Sequence, residues 1–345
     1  MAKLTLTASS MATALRCPRR YFYDNIIGLK VTNPSEALRI GTAVHNGGEE
    51  RAKGGDFAAQ YKAAITGGEL DEWMTAKVFG ILGAYCKTYG EIEDRDYAAM
   101  NPEQEFVDGI DGSRTFEQRG KIDGLAVLKD GRKVVWERKT TADDLSETSD
   151  YWTRLKFNHQ LLAYSTWIYN TTGELPVCVY DVIRKPLLKP LANVAEFDEN
   201  GLPIVLDANG NRCIKRDGTP KKTADSAKGE KLAGHPETPD EYGMRILEAM
   251  SEERERYFQR REVAVTLDML EEFRRERLGV CRMLLHFAAE GRKAKYAEYA
   301  YPRACNPDNC RSCQYAGICL NRIHADAKNP PEGFYVALHE ELSAK

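Results

Sequence analysis

The sequence of 345 residues is poor in long apolar segments. It has no uninterrupted run of about 18 apolar residues, so it predicts no membrane-spanning helix. Residues 1–7 include a lysine but no apolar segment of the length found in signal peptides. These absences predict a cytoplasmic protein with no membrane partner, working in a reducing compartment. A phosphate-binding loop of the form G-x-x-x-x-G-K-(S/T) is also absent, which argues against an ATP-driven motor in this chain.

The sequence also lacks an excess of one charge. It has 49 Lys and Arg against 52 Asp and Glu, a net charge of −3. This balance does not exclude nucleic acid, because cations can group on one face while carboxylates gather at a metal site. Hydrophobic residues make up 42% and charged residues 29%, the composition of an ordinary globular protein with a sizeable core. We expect a single domain over residues 1–345.

Nine cysteines are many for a cytoplasmic chain, and they are unevenly spaced. Four of them fall within residues 305–319, and Cys17 stands alone near the N-terminus. In a reducing compartment such a group indicates a metal site rather than a set of disulfides. The others read as core or loop thiols: Cys86, Cys178, Cys213 and Cys281.

Helical and extended patterns alternate along the chain. Helices are predicted from Ser9 or Ser10 towards Gly28 with a break at Pro18, and over 35–51, 69–90, 151–169, 240–260 and 267–291. Strands are predicted over 103–109, 115–128, 133–140 and 177–183. This order indicates an α/β fold with a mixed central sheet flanked by helices.

Residues 185–240 have a different character. The pairs Asn200-Gly201 and Asn209-Gly210 are typical of tight hairpin turns, and residues 221–236 are polar and rich in lysine. We predict an inserted, mobile arm of hairpins rather than a separate domain.

The main chemical signal lies on two consecutive predicted strands. Gly120-Lys-Ile-Asp123 is followed, after a turn, by Glu137-Arg-Lys139. Glu137 and Lys139 are two residues apart, so they project from the same face of a strand. Two carboxylates make a hard oxygen site suited to Mg²⁺ or Mn²⁺, and a neighbouring lysine can assist an attacking water. Taken alone, either pattern is better explained by a solvated hairpin face.

Two helices add further polar residues. Gln160 and Tyr164 are four apart on one face of a predicted helix. His45 ends the helical segment Gly41-Thr-Ala-Val-His45. Taken singly, each of these side chains reads as an ordinary helix-surface residue.

Taken together and in this order, the four motifs resemble those of the RecB-like branch of the PD-(D/E)xK nuclease superfamily. These nucleases have a helical G-x-x-x-H, a strand G-x-(I/V)-D, a strand (D/E)-x-K and a helical Q-x-x-x-Y. The resemblance implies a restriction-endonuclease-like core and divalent-metal-dependent hydrolysis of DNA, typically by an exonuclease.

The resemblance also implies roles for the motif residues. His45, Asp123 and Glu137 would bind the metal, and Lys139 would serve the attacking water. Gln160 and Tyr164 would contact DNA or brace the site. The family often has a glutamate on the first strand, and both Glu103 and Glu105 fit that position.

The late cysteines form a C-x2-C-x5-C pattern. With Cys17 it resembles the AddB-type and CRISPR-adaptation nucleases of the same superfamily. The resemblance implies a [4Fe–4S] cluster held by Cys17, Cys310, Cys313 and Cys319. The cluster, bound by the cysteine-rich segment 299–322 and completed by Cys17, would then join the helical N- and C-terminal parts. Structural zinc is the competing interpretation, but its ligands more often come as two local pairs, so the one-plus-three spacing favours iron.

Three interpretations therefore stand at the level of sequence. The first is a DNA nuclease, which would depend on a helicase or recombination partner for any ATP-driven unwinding. The second is a DNA-binding accessory subunit with an unused nuclease centre, and the third is a zinc-stabilised scaffold. Three basic or aromatic stretches would supply phosphate contacts or stacking faces for single-stranded DNA: residues 16–23, 254–261 and 293–303.

Overall fold

The computed structural model describes residues 3–67, 69–90, 97–155 and 158–337. The strands are β1 (Leu4–Leu6), β2 (Leu29–Val31), β3 (Tyr97–Gly109), β4 (Phe116–Leu128), β5 (Lys133–Thr141), β6 (Val177–Arg184), β7 (Val194–Ala195), β8 (Val205–Leu206), β9 (Lys231–Leu232), β10 (Gly234–His235), β11 (Phe258–Val263) and β12 (Phe334–Val336). The α-helices are α1 (Ala8–Arg16), α2 (Pro18–Tyr21), α3 (Glu36–Ala52), α4 (Phe57–Thr66), α5 (Glu72–Tyr89), α6 (Asp150–Leu155), α7 (His159–Thr172), α8 (Pro239–Glu252), α9 (Arg254–Tyr257), α10 (Leu267–Gly291), α11 (Pro307–Arg311) and α12 (Ala316–Leu320).

A mixed sheet of six strands forms the centre of the fold. Strand β4 pairs antiparallel with β3 along one edge, and its other edge is shared by β1, in parallel, and β5, antiparallel. Strand β6 then pairs parallel with β5, and β11 pairs antiparallel with β6. This arrangement confirms the predicted α/β class with a mixed central sheet.

Helices cover both faces of this sheet. On one face α3, α4, α5 and α8 pack through residues such as Val44, Ile81 and Ile246. On the other face α1, α7 and α10 pack through residues such as Leu161 and Phe273. Because β6 is covered on both faces, residues 178–183 are all buried. None of the helices in the described residues is both long enough and apolar enough to cross a lipid bilayer.

The N-terminal helix begins earlier than the sequence indicates and is broken where expected. Thr7, not Ser9 or Ser10, caps α1, and its hydroxyl accepts the Ser10 N–H at 3.0 Å. Cys17 is extended, with φ of −161°, and Pro18 opens α2, which runs into a π-helix over Phe22–Ile26. The break therefore sets Cys17 between two helices.

Two other predicted helices differ from the observed ones. The helix predicted over 151–169 is interrupted, and Asn158 caps the second part, α7. The helix predicted over 240–260 ends at Glu252, and residues 258–263 form the edge strand β11 instead. The tertiary reason is that β11 completes the hydrogen bonding of β6, which outweighs the helical propensity of an arginine- and glutamate-rich segment.

The C-terminal part returns to the N-terminal part. Strand β12 pairs antiparallel with β2. The Arg16 Nε donates to Asn309 Oδ1 at 2.8 Å, and the Arg19 N–H donates to the Pro302 carbonyl at 3.1 Å. Segments almost 300 residues apart in sequence are therefore in direct contact.

Candidate active site

Strands β4 and β5 separate at the position of the predicted carboxylates. Their pairing ends at Gly124 and Trp136. Beyond this point the Asp123 carboxylate, rather than a β4 carbonyl, accepts the backbone N–H of Arg138 at 2.9 Å. The separation therefore opens a gap in the sheet with Asp123 on one side and residues 137–139 on the other.

Helix α3 brings His45 to this gap. The His45 Nδ1 lies 3.8 Å from Asp123 Oδ2. Burial lowers the pKa of His45 below its usual value, against the opposing effect of Asp123, so the neutral imidazole is favoured. The helix comes close to β5 because glycines face the strand: a Cβ on Gly41 would lie 3.1 Å from Thr140 Oγ1. The G-x-x-x-H spacing thus places a small residue one turn before the histidine.

Glu137 is the most buried of the predicted carboxylates, with 0% exposure. One of its oxygens, Oε1, accepts a hydrogen bond from Lys139 Nζ, while Oε2 has no hydrogen-bond partner in the described structure. Burial raises the pKa of Glu137 to about 8, and Asp123 contributes in the same direction while Lys139 opposes it. An unpartnered, buried carboxylate oxygen is costly to the stability of the fold, so Glu137 is a candidate for a functional side chain.

Hydrogen bonds link Gln160 and Tyr164 of α7 to Lys139. Lys139 Nζ donates to Gln160 Oε1 at 2.6 Å, and Gln160 Nε2 donates to the Tyr164 hydroxyl at 2.6 Å. That hydroxyl in turn donates to the Lys121 carbonyl of β4 at 2.6 Å. Burial is the main cause that raises the pKa of Tyr164, so its hydroxyl stays protonated. The chain of hydrogen bonds fixes the Lys139 ammonium beside Glu137.

A groove of about 420 Å³ opens next to Gln160. Its walls come from α1, α6 and the start of α7, and they include Arg154 and His159 as well as Tyr151. The small residues Ala8, Ser9 and Ala12 line the α1 side. The groove therefore adjoins Gln160, the side chain that accepts a hydrogen bond from Lys139.

The two candidate first-strand glutamates are in different surroundings. Glu103 forms an ion pair with Lys121 and has a φ of +53°, an uncommon value for a residue that is not glycine. Its carboxylate also lies close to that of Glu49, which is one helical turn after His45 on α3. Glu105 is exposed. Of the two glutamates, Glu103 is therefore the one whose side chain lies close to α3, the helix that carries His45.

A buried charge network behind the site was not predicted from the sequence. The Arg138 guanidinium, only 7% exposed, lies with its Nε 3.1 Å from Asp181 Oδ2. Asp181 Oδ1 also lies 3.2 Å from Arg260 Nε, and Oδ2 accepts the Tyr85 hydroxyl at 2.5 Å. Although burial acts to raise the pKa of Asp181, Arg260 and Arg138 lower it, so the carboxylate is ionised.

This network holds β5 in place at the residue that binds Asp123. A Cβ on Gly48 would come within 1.6 Å of the Arg138 guanidinium, so α3 needs a glycine there. The available sequence signal was an aspartate in the otherwise apolar strand 177–183. Arg260, expected as a phosphate contact, is instead engaged here and lies 3.6 Å from the Tyr89 ring centroid.

The four cysteines expected to hold the cluster line one pocket together with Cys305, a fifth thiol that the C-x2-C-x5-C pattern does not need. Cys17, from the α1–α2 break, faces Cys305, Cys310, Cys313 and Cys319, and all are free thiols. Four arginines also line this pocket: Arg16, Arg19, Arg20 and Arg303. Burial raises the pKa of the Cys319 thiol, and the nearby thiols of Cys305 and Cys17 raise it further. The positive charges of Arg303 and Arg19 act in the opposite direction. All of these groups are therefore close to Cys319.

Two of these arginines carry unpartnered donors. Arg19 Nη1 and Arg20 Nε are buried with no hydrogen-bond partner in the described structure. By contrast, Tyr21, Phe22 and Tyr23 are at most 6% exposed, so this aromatic stretch is core and is not available to stack on bases.

Across the described residues, no three His, Cys, Asp or Glu side chains are gathered tightly enough to form a ready-made metal site.

The sequence profile of the PD-(D/E)XK nuclease superfamily matches residues 5–320. The chain belongs to that superfamily. No curated protein matches it.

Among solved structures, the chain is similar to a protein of Eubacterium rectale provisionally named an exonuclease, with 11% identity and a TM-score of 0.36. That match covers 73% of this chain and 79% of the other. It is also similar to a protein named SSO0001, with 13% identity and a TM-score of 0.26, over 74% of this chain and 78% of the other. Both TM-scores are too low for the details of this site to be carried over.

Proposed function

We propose that this member of the PD-(D/E)XK nuclease superfamily is a divalent-metal-dependent DNA nuclease, and specifically an exonuclease. The observation that carries the proposal is the Glu137 carboxylate, buried with one oxygen unpartnered beside Asp123 and Lys139. An apolar residue would be more stable at that position, and a bound cation beside the unpartnered Oε2 would offset part of the cost of burying the carboxylate.

His45, Asp123 and Glu137 would hold Mg²⁺ or Mn²⁺. Support comes from the mixed donor set, with a neutral imidazole and two carboxylates that converge from α3, β4 and β5 on one gap. A bound divalent ion supplies Lewis-acid polarisation of the phosphate and lowers the pKa of a bound water.

Lys139 would orient the attacking water and stabilise the charge that builds on the phosphate. Its ammonium is already held by Gln160 Oε1 at 2.6 Å, and Gln160 is held by Tyr164. In this proposal Gln160 and Tyr164 brace the lysine, and the groove beside Gln160 receives the DNA strand.

The test is digestion of DNA labelled at the 5′ or the 3′ end, with Mg²⁺, with Mn²⁺ and with chelator. We expect stepwise shortening from one end that stops when the metal is removed, and the labelled end that survives gives the polarity. Internal cuts would replace the exonuclease with an endonuclease. Binding of DNA with no cleavage in any metal would identify a catalytically silent accessory subunit.

We propose further that Cys17, Cys310, Cys313 and Cys319 hold a [4Fe–4S] cluster. Support comes from the single pocket that these thiols line and from the unpartnered N–H groups of Arg19 and Arg20. A metal centre with four thiolate ligands is anionic, and such donors suit it. The bond from residue 17 to residues 310–319 would act as a cross-link over a very long loop.

The test of the cluster is metal and sulfide analysis of protein purified without oxygen, together with its visible spectrum. We expect about four iron and four sulfide per chain and absorption near 400 nm. Colourless protein with one zinc per chain would replace the cluster with structural zinc.

A further inference from the structure

A second pocket, of about 280 Å³, adjoins the pocket that the cysteines line. The two pockets share Arg19, Tyr23 and Arg303. The second one, called here the arginine pocket, is lined in addition by Glu298, Tyr299, Arg322 and His324. Three of its side chains are arginines and one is a carboxylate. The pocket therefore has an excess of two positive charges, without counting the histidine.

The carboxylate of this pocket is already engaged. Glu298 is 5% exposed, and its Oε1 lies 2.7 Å from Nδ1 of His324. The His324 ring also stacks on Tyr296, with 3.7 Å between the ring centroids and 15° between the ring planes. These contacts direct the carboxylate towards the imidazole and fix the imidazole as one wall of the pocket.

The arginines, by contrast, are not neutralised. Within the residues that the structure describes, neither Arg303 nor Arg322 forms an ion pair or a side-chain hydrogen bond, and both are exposed. Arg19 is buried, and its Nε donates to the Tyr301 carbonyl at 3.0 Å, so its charge is held in place. Guanidinium groups that converge on one pocket suit a phosphate, because their planar N–H groups match its oxygens.

The backbone of Arg322 supports a function for this side chain. Helix α12 ends at its cap Asn321, and the Ile323 N–H donates to the Ile318 carbonyl at 2.9 Å. Arg322 stands between these residues with a φ of +55°, at the position after the cap where glycine is usual. A side chain kept in this unfavourable conformation is a candidate for a functional residue.

The size and the aromatic wall of the pocket narrow the choice of ligand. Tyr299 lines the pocket and is 54% exposed, so its ring is available to stack on a base. The volume is near the lower end of the range for small-molecule sites, about 300 Å³, which fits one nucleotide better than a duplex. The two excess positive charges match a phosphate monoester, which carries about −1.5 to −2 at pH 7.

We propose that the arginine pocket binds the terminal phosphate of a nucleotide, with Arg303 and Arg322 on the phosphate oxygens and Tyr299 against the base. This phosphate monoester belongs either to the end of a DNA strand or to a free nucleoside monophosphate. A strand end fits the placement of the pocket. Ala12 of the groove beside Gln160 is seven residues from Arg19, so at most about 25 Å separates the two.

The choice of a nucleotide among phosphate monoesters rests on the proposed nuclease function, whereas the pocket and its charge do not. The experiment is therefore a binding measurement without cleavage. Isothermal titration calorimetry in chelator, on protein purified without oxygen, compares thymidine 5′-monophosphate, thymidine and inorganic phosphate. We expect the monophosphate to bind, thymidine not to bind and inorganic phosphate to bind more weakly. Arg322→Ala should weaken binding of the monophosphate about 10–100-fold.

Two control variants locate the binding. Arg275 is an exposed arginine of α10 that pairs with Glu271 and does not line the pocket, so Arg275→Ala should keep the wild-type affinity. Lys139→Ala should keep it as well, because it changes the proposed catalytic centre and not the arginine pocket. Loss of affinity in Lys139→Ala equal to that in Arg322→Ala would overturn the assignment of the ligand to this pocket.

Arg322→Gly separates a ligand contact from a structural role. Glycine suits the positive φ, so this variant should melt at or above the wild-type temperature while it loses the monophosphate as Arg322→Ala does. An arginine that serves only to stabilise the end of α12 gives the opposite result, a lower melting temperature with unchanged binding. That result would overturn the proposal.

Labelled single strands of about 12 nucleotides, with a phosphate or a hydroxyl at either end, distinguish the two sources of the phosphate. Fluorescence anisotropy in chelator measures their binding. Tighter binding of a phosphorylated strand, lost in Arg322→Ala, assigns the pocket to a strand end and shows which end. Binding of the monophosphate with no preference among the strands assigns it to a free nucleotide.

Absence of monophosphate binding, or equal binding by the wild type and Arg322→Ala, would overturn the proposal. Equal affinity for inorganic phosphate would overturn the assignment of a nucleotide. A protein that cuts DNA but fails these titrations keeps the proposed nuclease function and loses the phosphate pocket. A protein that binds the monophosphate through Arg322 but never cuts DNA keeps the pocket and loses the nuclease function.

Discussion

Substitution of Glu137 by glutamine tests the cation requirement without any assay of cleavage. The Glu137 pKa is raised from its ordinary value of 4.5 to about 8, chiefly by burial. The folded protein therefore binds this proton more tightly than the unfolded chain does. The resulting stability is fully present below about pH 4.5 and is lost as the pH rises through 8. Within this window each rise of one pH unit lowers the free energy of unfolding by about 1.4 kcal/mol. At pH 7 the loss is therefore roughly 3 kcal/mol.

Glutamine has nearly the same shape and no charge, so Glu137→Gln removes this cost. In metal-free protein at pH 7 we expect a melting temperature about 5 °C above that of the wild type. The difference should shrink towards pH 5 and grow towards pH 8. Added Mg²⁺ or Mn²⁺ should raise the melting temperature of the wild type more than that of the variant, because the variant keeps Asp123 but lacks the second proposed carboxylate ligand.

The measurement is thermal unfolding followed by circular dichroism, between pH 5 and pH 8, with chelator and with metal. Glu105→Gln serves as the matched control, because Glu105 is exposed and its substitution should change nothing. A Glu137→Gln variant that melts at or below the wild-type temperature at every pH would refute the reasoning. So would a stabilisation by metal that is equal in the two proteins.

Two further predictions concern packing and the cysteine pocket. Gly48→Ala should lower the free energy of unfolding, measured in urea, by about 1–3 kcal/mol, because the added Cβ would overlap the Arg138 guanidinium. The control Gly279→Ala lies in open space on α10 and should stabilise the protein slightly. Equal effects of the two substitutions would contradict the close approach of α3 and β5. Cys319→Ser should lose the proposed cluster metal and most of the visible absorption, as measured by metal analysis and spectroscopy. The control Cys213→Ser should keep both. Retention of the full metal content by Cys319→Ser would exclude that thiol as a ligand.

Local patterns predicted well where the central strands and most of the long helices lie along the chain. The alternation on 115–128 and 133–140 and the apolar run 177–183 correspond closely to β4, β5 and β6. These signals succeed because a strand's period of two and a buried apolar run depend on nearby residues alone. The motif residues also lie near one another, because His45 Nδ1 is 3.8 Å from Asp123 Oδ2 and Lys139 pairs with Glu137 on the neighbouring strand; their roles stay a prediction.

What the sequence could not provide depends on contacts between distant segments. The edge strand β11 reads as helix, because only the free edge of β6 makes it a strand. Asp181 and Arg260 read as an isolated core aspartate and a surface arginine, and only their pairing across β6 and β11 defines the buried network. Tyr23 reads as a stacking residue but is core, because it packs on Tyr315 from the far end of the chain.

The central claim is that Lys139 and its neighbours hydrolyse DNA, and single-turnover digestion of an end-labelled strand tests it most directly. Wild type, Lys139→Ala and Lys133→Ala are compared in saturating Mg²⁺ or Mn²⁺, the last as a control at the opposite end of β5. We predict that Lys139→Ala cleaves about 10²–10⁴-fold more slowly while DNA binding and the Lys133→Ala rate stay at the wild-type level. Cleavage by Lys139→Ala at the wild-type rate would contradict the account.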